Sequence, residues 1–501
     1  MLRSIVGLLF SISLLIFASS PLAWSQDLAE FEKSVTEFTI SNGLTFIVVE
    51  RHEAPVVSVM TYADVGSADE VKGITGLAHI FEHMAFKGTE TIGTRDLGSE
   101  LESMGNVDDA FEELRRERHK GTLADTDKIA FLEEAFELAK KSAKEWIVPN
   151  EMDEALDRAG AVGLNATTGA DATRYFYSLP SNKIELFFSL ESDRFLNPVL
   201  REFYTEKNVV MEERRMRTES SPVGRLVEEM IAASYKAHPY GEPTVGHMSD
   251  LASVTRQEAL EFFDTYYGAS NLTVVLVGDV NPVQVKQLAE TYFGRLPTKP
   301  KPTPVETVEP PQLGERRIIV EDRSQPVLLM GYHKVDIRHE DDLIFNVLAD
   351  ILGRGRTSRL YKKMVKEEKI AVNASAFIDF PGSKYPNMMV FFSFPSQGHT
   401  AEDCEAAINA EVTRIQESLV SESELQKAKT RARADLVRQL DSNSGLAGQL
   451  AYTHVLTDDW RNLFRMLEKI DKITAEDIQR VAKEYLISSQ RTVAMIKTTA
   501  Q

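Results

Sequence analysis

The chain has 501 residues, of which 43% are hydrophobic and 27% are charged. This balance is typical of globular proteins and excludes a disordered or collagen-like chain. The 76 acidic residues outnumber the 57 basic ones and leave a formal charge of −19, which disfavours nucleic acid as a partner. The single cysteine excludes an intrachain disulfide and a cysteine-based zinc cluster.

The first 25 residues have the pattern of a secretory signal peptide. A short basic start, Met1–Arg3, precedes the apolar run Ile5–Phe17, and Ala23-Trp24-Ser25 offers a small-residue cleavage site. We expect cleavage after Ser25 and export of the mature chain, to the periplasm if the organism is bacterial. The alternative is an uncleaved membrane anchor, but the apolar run is short for a membrane span. No stable span is expected after cleavage.

A proline-rich stretch divides the mature chain. Residues 297–312 hold six of the 19 prolines, a density that no helix or central strand tolerates, so we expect an extended linker. The sequence thus predicts an N-terminal domain at residues 26–296 and a C-terminal domain at residues 313–501. Helical and strand-like patterns mix in both, which is typical of α+β domains.

The two domains show internal similarity. Residues 254–278 align on 473–497 at an offset of 219, whereas Val49-Glu50 and Pro55-Val56 align on Val320-Glu321 and Pro326-Val327 at an offset of 271. The difference indicates duplication with about 52 extra residues in the first copy. The extra residues fall at about 106–160, where helix-forming residues are dense, and we expect two charged helices joined near Gly121.

The most specific motif is His-x-x-Glu-His at residues 79–83. The surrounding segment, Thr75–Gly88, predicts a helix with Thr75 as its cap and Gly88 as its stop. His79, Glu82 and His83 fall on the face opposite to Leu77, Ile80, Phe81 and Met84. Histidines four residues apart on a helix suit one Zn²⁺. Glu82 is placed to take a proton from a water molecule whose pKa the metal lowers.

A catalytic zinc needs a third protein ligand. The best candidate helix spans residues 206–216, where Glu206 and Glu213 lie two turns apart on one face and Glu212 lies 100° away. One carboxylate of the aligned pair can bind the metal while the other supports a ligand. From the residues alone, Glu212 and Glu213 both remain candidates for the third ligand.

Residues 76–89, Gly-Leu-Ala-His-Ile-Phe-Glu-His-Met-Ala-Phe-Lys-Gly-Thr, resemble the pitrilysin/insulinase family, which includes the mitochondrial processing peptidase. The resemblance extends over most of the mature chain. It implies two homologous halves, each an antiparallel sheet packed with helices, that together enclose a chamber. It also implies one zinc ion at His79 and His83, and Glu82 as the catalytic general base. The family's Glu-(six residues)-Glu pattern selects Glu213 as third ligand and Glu206 as its supporting carboxylate.

The resemblance also extends to a substrate-binding segment. The family has roughly 75 residues between the second histidine and the ligand glutamate, whereas 129 intervene here, and this excess agrees with the inserted length found from the repeat. Leu164–Thr168 then resembles the family's G-x-x-N-A-x-T segment. This implies that Asn165, Ala166 and Thr167 form an edge strand that pairs with substrate backbone. The alternative is an ordinary strand.

A second departure from the family concerns substrate binding by the C-terminal half. Single-chain peptidases of the family carry an Arg and a Tyr there, seven residues apart, and the matching positions are Val365 and Val372. Valine cannot donate a hydrogen bond, and a homodimer would carry the same residues. Our hypothesis is a heterodimer in which a zinc-less homologous subunit supplies the Arg/Tyr pair.

The leading interpretation is a zinc-dependent endopeptidase or oligopeptidase that hydrolyses peptides or unfolded segments in the periplasm. The alternative is a non-hydrolytic scaffold or peptide-binding subunit of a peptidase complex, since the family includes inactive chains. A zinc-storage role would call for His-rich tracts, which the sequence does not have.

Overall fold

Two mixed β-sheets, each packed with helices, form the protein. The computed structural model describes residues 31–499, so the predicted signal peptide lies outside the described residues. The first sheet consists of β1 (Val35–Thr39), β2 (Thr45–Glu50), β3 (Val56–Ala63), β4 (Val162–Thr168), β5 (Thr173–Pro180) and β6 (Leu272–Gly278). The second consists of β7 (Arg316–Asp322), β8 (Val327–Lys334), β9 (Ala371–Phe380), β10 (Asn387–Pro395) and β11 (Arg491–Thr498).

The helices follow the same division into two halves. Those of the first half are α1 (Leu77–Met84), α2 (Leu97–Arg118), α3 (Thr126–Lys144), α4 (Glu151–Arg158), α5 (Ile184–Leu196), α6 (Phe203–Arg214), α7 (Pro222–Ser234), α8 (Met248–Ser253), α9 (Arg256–Tyr266) and α10 (Pro282–Tyr292). Those of the second are α11 (Asp342–Leu352), α12 (Ala401–Glu417), α13 (Glu422–Asp441), α14 (Asn443–Thr457), α15 (Asn462–Lys472) and α16 (Ala475–Tyr485).

The two sheets share one topology. The first has the strand order β1-β2-β6-β3-β5-β4 and the second β7-β11-β8-β10-β9, so in the described part of the chain the second lacks only a counterpart of β1. Each is antiparallel except for one parallel pair, β2 with β6 and β7 with β11. The offset of 271 places the start of β2 on the start of β7, and the offset of 219 places α9 on α16. The prediction of an α+β fold with two similar halves is confirmed.

Each half contributes a helix to the core of the other. Along β2, Phe46 and Val48 face the main core of the first half, whereas Ile47 and Val49 face a second cluster that includes Leu450 of α14. In the reverse direction, Met230 of α7 packs with residues of the second sheet. Side chains alternate between the two faces of a strand. Each sheet therefore packs on one face against its own half and on the other face against a helix of the opposite half.

The helical insertion packs on the first core. Helices α2 and α3 bury Phe111, Leu114, Leu132 and Phe136 and are joined by the segment that contains Gly121. Helix α2 begins at Leu97, ahead of the predicted inserted residues, because Asp96 caps it by accepting a hydrogen bond from the Ser99 amide at 2.8 Å. Residues 297–312 contain neither helix nor strand; the exact domain boundaries stay predictions.

Within residues 31–499, no helix has the combination of length and apolar character that a membrane span requires.

Candidate metal centre and active site

Helix α1 carries the His-x-x-Glu-His motif and is held by its apolar face and its first amides. Leu77, Ile80, Phe81 and Met84 are buried in the first core, as the periodicity predicts. Thr75 is not the helix cap, because its hydroxyl donates to Asp250 at 2.8 Å. The buried carboxylate of Glu70 instead accepts hydrogen bonds from the amides of Gly76 and Ala78, each at 2.7 Å.

The turn into α1 explains why the cap lies elsewhere. Gly76 adopts a left-handed conformation with φ of +93°, and a Cβ there would meet the Val245 carbonyl oxygen at 2.8 Å. This turn points the first amides of the helix toward Glu70 rather than toward Thr75. The helix ends at Met84, four residues before the predicted stop at Gly88.

Three side chains converge at the cleft side of α1. Nε2 of His79 and Nε2 of His83 lie 3.6 and 3.4 Å from Oε2 of Glu213. One ligand atom from each residue lies within 4.8 Å of the others. Neighbouring ligands of a tetrahedral ion with bonds of about 2.1 Å are about 3.4 Å apart. Two imidazoles and one carboxylate therefore fit Zn²⁺ with one position left open.

The structure distinguishes between the two adjacent glutamates. Glu213 faces the histidines, whereas the Glu212 side chain is 64% exposed and pairs with Arg215. Nδ1 of His79 is buried and finds no hydrogen-bond partner within residues 31–499. Burial lowers the pKa of His79 and so favours the neutral imidazole, the form that binds metals.

Glu206 lies behind the second histidine. Its Oε2 is 3.5 Å from Nδ1 of His83, and its Oε1 is 2.6 Å from Nζ of Lys87. The contact with Glu206 raises the pKa of His83 above its ordinary value. Burial acts to raise the pKa of Glu206, but the contacts with His83 and Lys87 hold it below the ordinary value. A carboxylate in this position fixes the orientation of a metal-binding imidazole.

Arg217 is a site residue that the sequence analysis missed. Its Nη1 lies 2.6 Å from Oε1 of Glu213, the oxygen that does not face the histidines. Arg217 belongs to a π-helical turn, Arg215–Glu219, that directly follows α6, and such turns are frequent at functional sites. The Glu–Arg spacing of four residues was the available signal, since it places both side chains on one helix face.

The three candidate metal ligands open into a cleft of about 780 Å³ between the two halves. One wall is β4, the edge strand of the first sheet, which contributes Asn165, Ala166 and Thr167. Glu82 also lines the cleft, together with Arg217, the only Lys or Arg side chain among its described lining residues. The second half contributes Phe380 and Pro381. The cleft therefore brings together seven of the eight residues predicted as catalytic, metal-binding, supporting or substrate-binding. The eighth, Glu206, lies behind His83.

Val365 and Val372 lie away from this cleft. Val365 packs against the core of the second half, and Val372 is 62% exposed near the start of β9. Phe380 ends the same strand, eight residues further on, which corresponds to about 26 Å of extended chain. Neither valine lines the cleft.

Comparison with known proteins assigns the family. Residues 45–118 and 119–247 match the model described as Insulinase (Peptidase family M16), and residues 253–432 match the Peptidase M16 inactive domain. The chain belongs to peptidase family M16. The residues of this M16 protein that match the insulinase model include helix α1 and Glu213.

Two relatives of this M16 protein match it along most of their length. The zinc protease PqqE of Helicobacter pylori is 27% identical over 467 residues, which cover 92% of either chain. An uncharacterized zinc protease of Rickettsia felis is 23% identical and covers 91% of this chain and 96% of that protein. The crystal structure of a protease from H. pylori superposes with a TM-score of 0.77 at 26% identity, covering 92% of this chain and 99% of that one.

Comparison with a longer M16 protein relates the length of this chain to that of a known protease. The periplasmic protease PqqL of Escherichia coli has the same fold, with a TM-score of 0.68 at 17% identity. The match covers 93% of this chain but 48% of PqqL. This M16 chain therefore corresponds to about half of that protein.

Proposed function

We propose that the protein is a zinc-dependent endopeptidase that hydrolyses peptides or unfolded protein segments. The observation that carries this proposal is the convergence of His79, His83 and Glu213, from two helices far apart in sequence, beside Glu82 in one cleft. A zinc ion held by these three side chains would polarise the scissile carbonyl and lower the pKa of the attacking water.

The remaining chemistry belongs to residues of the chain. Glu82 accepts a proton from the attacking water and passes it to the leaving amine. The outer edge of β4 is unpaired within the described sheet, so an extended peptide can add to it as a further strand. Asn165 and Thr167 then flank the bound backbone. A cleft between two halves favours extended segments over folded domains.

We further propose that the active form pairs this chain with a zinc-less homologous subunit that supplies an Arg/Tyr pair. Val365 and Val372 stand at the positions that the family resemblance assigns to this pair, and valine cannot donate a hydrogen bond to substrate. The length of PqqL, which exceeds that of this chain about twofold, supports pairing of two such units. Export to the periplasm is part of the proposal and is supported by the signal-peptide pattern of residues 1–25.

A second candidate function is a non-hydrolytic peptide-binding subunit. The observation that favours it is the combination of a C-terminal half that matches the inactive-domain model with valines at positions 365 and 372. The intact set of His79, Glu82, His83 and Glu213 favours the peptidase.

The test compares cleavage of a mixed quenched-peptide library by the mature chain and by Glu82→Gln, with bound zinc measured by elemental analysis. We expect about one zinc per chain in both and a loss of cleavage of about 10²- to 10⁴-fold in the variant. Glu212→Gln is the matched control, since Glu212 is exposed and outside the cleft. Equal cleavage by Glu82→Gln would contradict the assigned base.

If the wild-type chain holds zinc but does not cleave, the zinc-less homologue is added. Restored cleavage would support the heterodimer. Continued absence of cleavage would favour the peptide-binding subunit, and full cleavage by the isolated chain would contradict the need for a partner.

A further inference from the structure

A second cavity, of about 360 Å³, lies between the helical insertion and the start of α6, away from the metal centre. The role of the insertion is not explained by the proposed peptidase chemistry. The insertion supplies most of one wall of this cavity, and the segment before α6 supplies the other. The apolar lining residues are Met104, Val107, Ala143, Ile147, Leu200 and Phe203.

Three lysines of α3 line one side of the cavity. Lys140, Lys141 and Lys144 all line it and lie on one face of the helix. Lys140 pairs with Glu137 at 2.7 Å. Lys141 and Lys144 are exposed and make no ion pair or side-chain hydrogen bond within residues 31–499. In a chain of formal charge −19, this is a local excess of positive charge beside an apolar surface.

The other charged groups of the lining are already paired. Arg256 binds Asp108, and Glu202 lies 3.4 Å from Lys87. The lining therefore leaves two cations without a counter-ion. A ligand carboxylate would complete these charges, because charge-assisted hydrogen bonds are the stronger class.

The backbone of residues 200–202, beside the cavity, has a fixed and strained conformation. Leu200 and Glu202 both line it and both have positive φ, 45° and 59°, a conformation that costs free energy in residues other than glycine. Between them, the buried Arg201 donates to Glu100 at 2.8 Å and to the carbonyl oxygens of Thr89 and Ile92. This anchoring fixes the strained segment, so the cavity is preformed, as ligand sites usually are.

We infer that this cavity is a binding site for a small apolar anion, an alkyl chain or apolar peptide end that terminates in a carboxylate. The apolar part lies against Val107, Ile147 and Phe203, and the carboxylate faces Lys141 and Lys144. The volume falls at the lower end of the range for ligand pockets, which limits the ligand to a small molecule. This inference does not depend on the proposed peptidase activity.

The experiment is calorimetric titration of the full mature chain with decanoate. We expect saturable binding with Kd below about 1 mM, and decan-1-ol, which lacks the carboxylate, should bind about 10-fold more weakly. The peptide acetyl-Leu-Leu with a free or an amidated C-terminus distinguishes a peptide end from a fatty acid as the ligand. Binding of neither decanoate nor the free peptide would overturn the inference.

Two sets of variants locate the site. Lys141→Glu combined with Lys144→Glu should weaken decanoate binding at least about 10-fold, and Ala143→Phe, which fills the cavity, should abolish it. The control is Lys427→Glu with Lys483→Glu, which makes the same change in charge at exposed positions of the second half. Because the lysines of both pairs are exposed, these variants are expected to fold even if Ala143→Phe does not. Equal weakening by both lysine pairs, or by neither, would overturn the site.

Discussion

Glu70 accepts a hydrogen bond from the backbone amide of Ala78, the residue immediately before His79, at 2.7 Å. The same carboxylate accepts from Gly76, so one buried side chain holds the first turn of the motif helix. Replacing Glu70 with Gln puts an NH₂ group opposite one of these amides. We expect a loss of about 1–3 kcal/mol in the free energy of unfolding, measured by urea denaturation. Glu53→Gln, at an exposed position, should have no such effect.

The pH dependence of this contact has a defined sign. Burial raises the pKa of Glu70 from its ordinary value of 4.5 to about 8. The folded state therefore binds a proton more tightly than the unfolded state, and stability from this group falls as pH rises from about 4.5 to about 8. The stability advantage of the wild type over Glu70→Gln should shrink across this interval. An advantage that grows with pH would contradict the burial effect.

The proposed metal centre predicts graded effects on zinc affinity. Glu213→Gln should abolish stoichiometric zinc binding, because it neutralises the one carboxylate within residues 31–499 that faces both histidines. Glu206→Gln should weaken binding about 10- to 100-fold, as expected for a group that orients a ligand. Competition with a chromophoric chelator measures both. Glu212→Gln serves as the control, and an equal loss there would contradict the assignment of Glu213.

Arg201 and Glu100 form an ion pair at 2.8 Å with almost no solvent exposure. Arg201→Met would leave the Glu100 carboxylate buried without its partner, which costs about 3–5 kcal/mol. Thermal and urea unfolding should show this loss. Arg116→Met, at an exposed arginine of α2, the helix that carries Glu100, should change stability by less than about 1 kcal/mol. Similar values for the two variants would contradict the importance of the buried pair.

The exchange of α7 and α14 between the halves predicts that cutting the linker will not separate them. A protease recognition sequence is inserted into the linker, within residues 301–304. After cleavage there, the two fragments should elute together in size-exclusion chromatography. They should part only in denaturant, because Met230 and Leu450 are buried in the opposite half. Separation of the native fragments after cleavage would contradict this prediction.

Periodicity and internal repeats predict the parts of this fold that depend on local sequence. The burial of Leu77 and Phe81 follows from the 3.6-residue period, and the offsets of 219 and 271 match real strand and helix starts. Contacts between residues that are not related by helical or strand periodicity leave no comparable pattern in the sequence. The role of Glu70 depends on the left-handed turn at Gly76, which points the first amides of α1 toward it. The exchange of α7 and α14 depends on which apolar faces meet in three dimensions.

That exchange has a consequence for the order in which the chain can mature. One face of the first sheet, with Ile47, Val49 and Val275, is covered by α14, which is synthesised almost 170 residues after β6. Until then, the N-terminal part exposes an apolar strand surface of the kind that promotes aggregation. If the first sheet folds before the last 60 residues, which include α14, have been synthesised, this apolar face therefore stays uncovered.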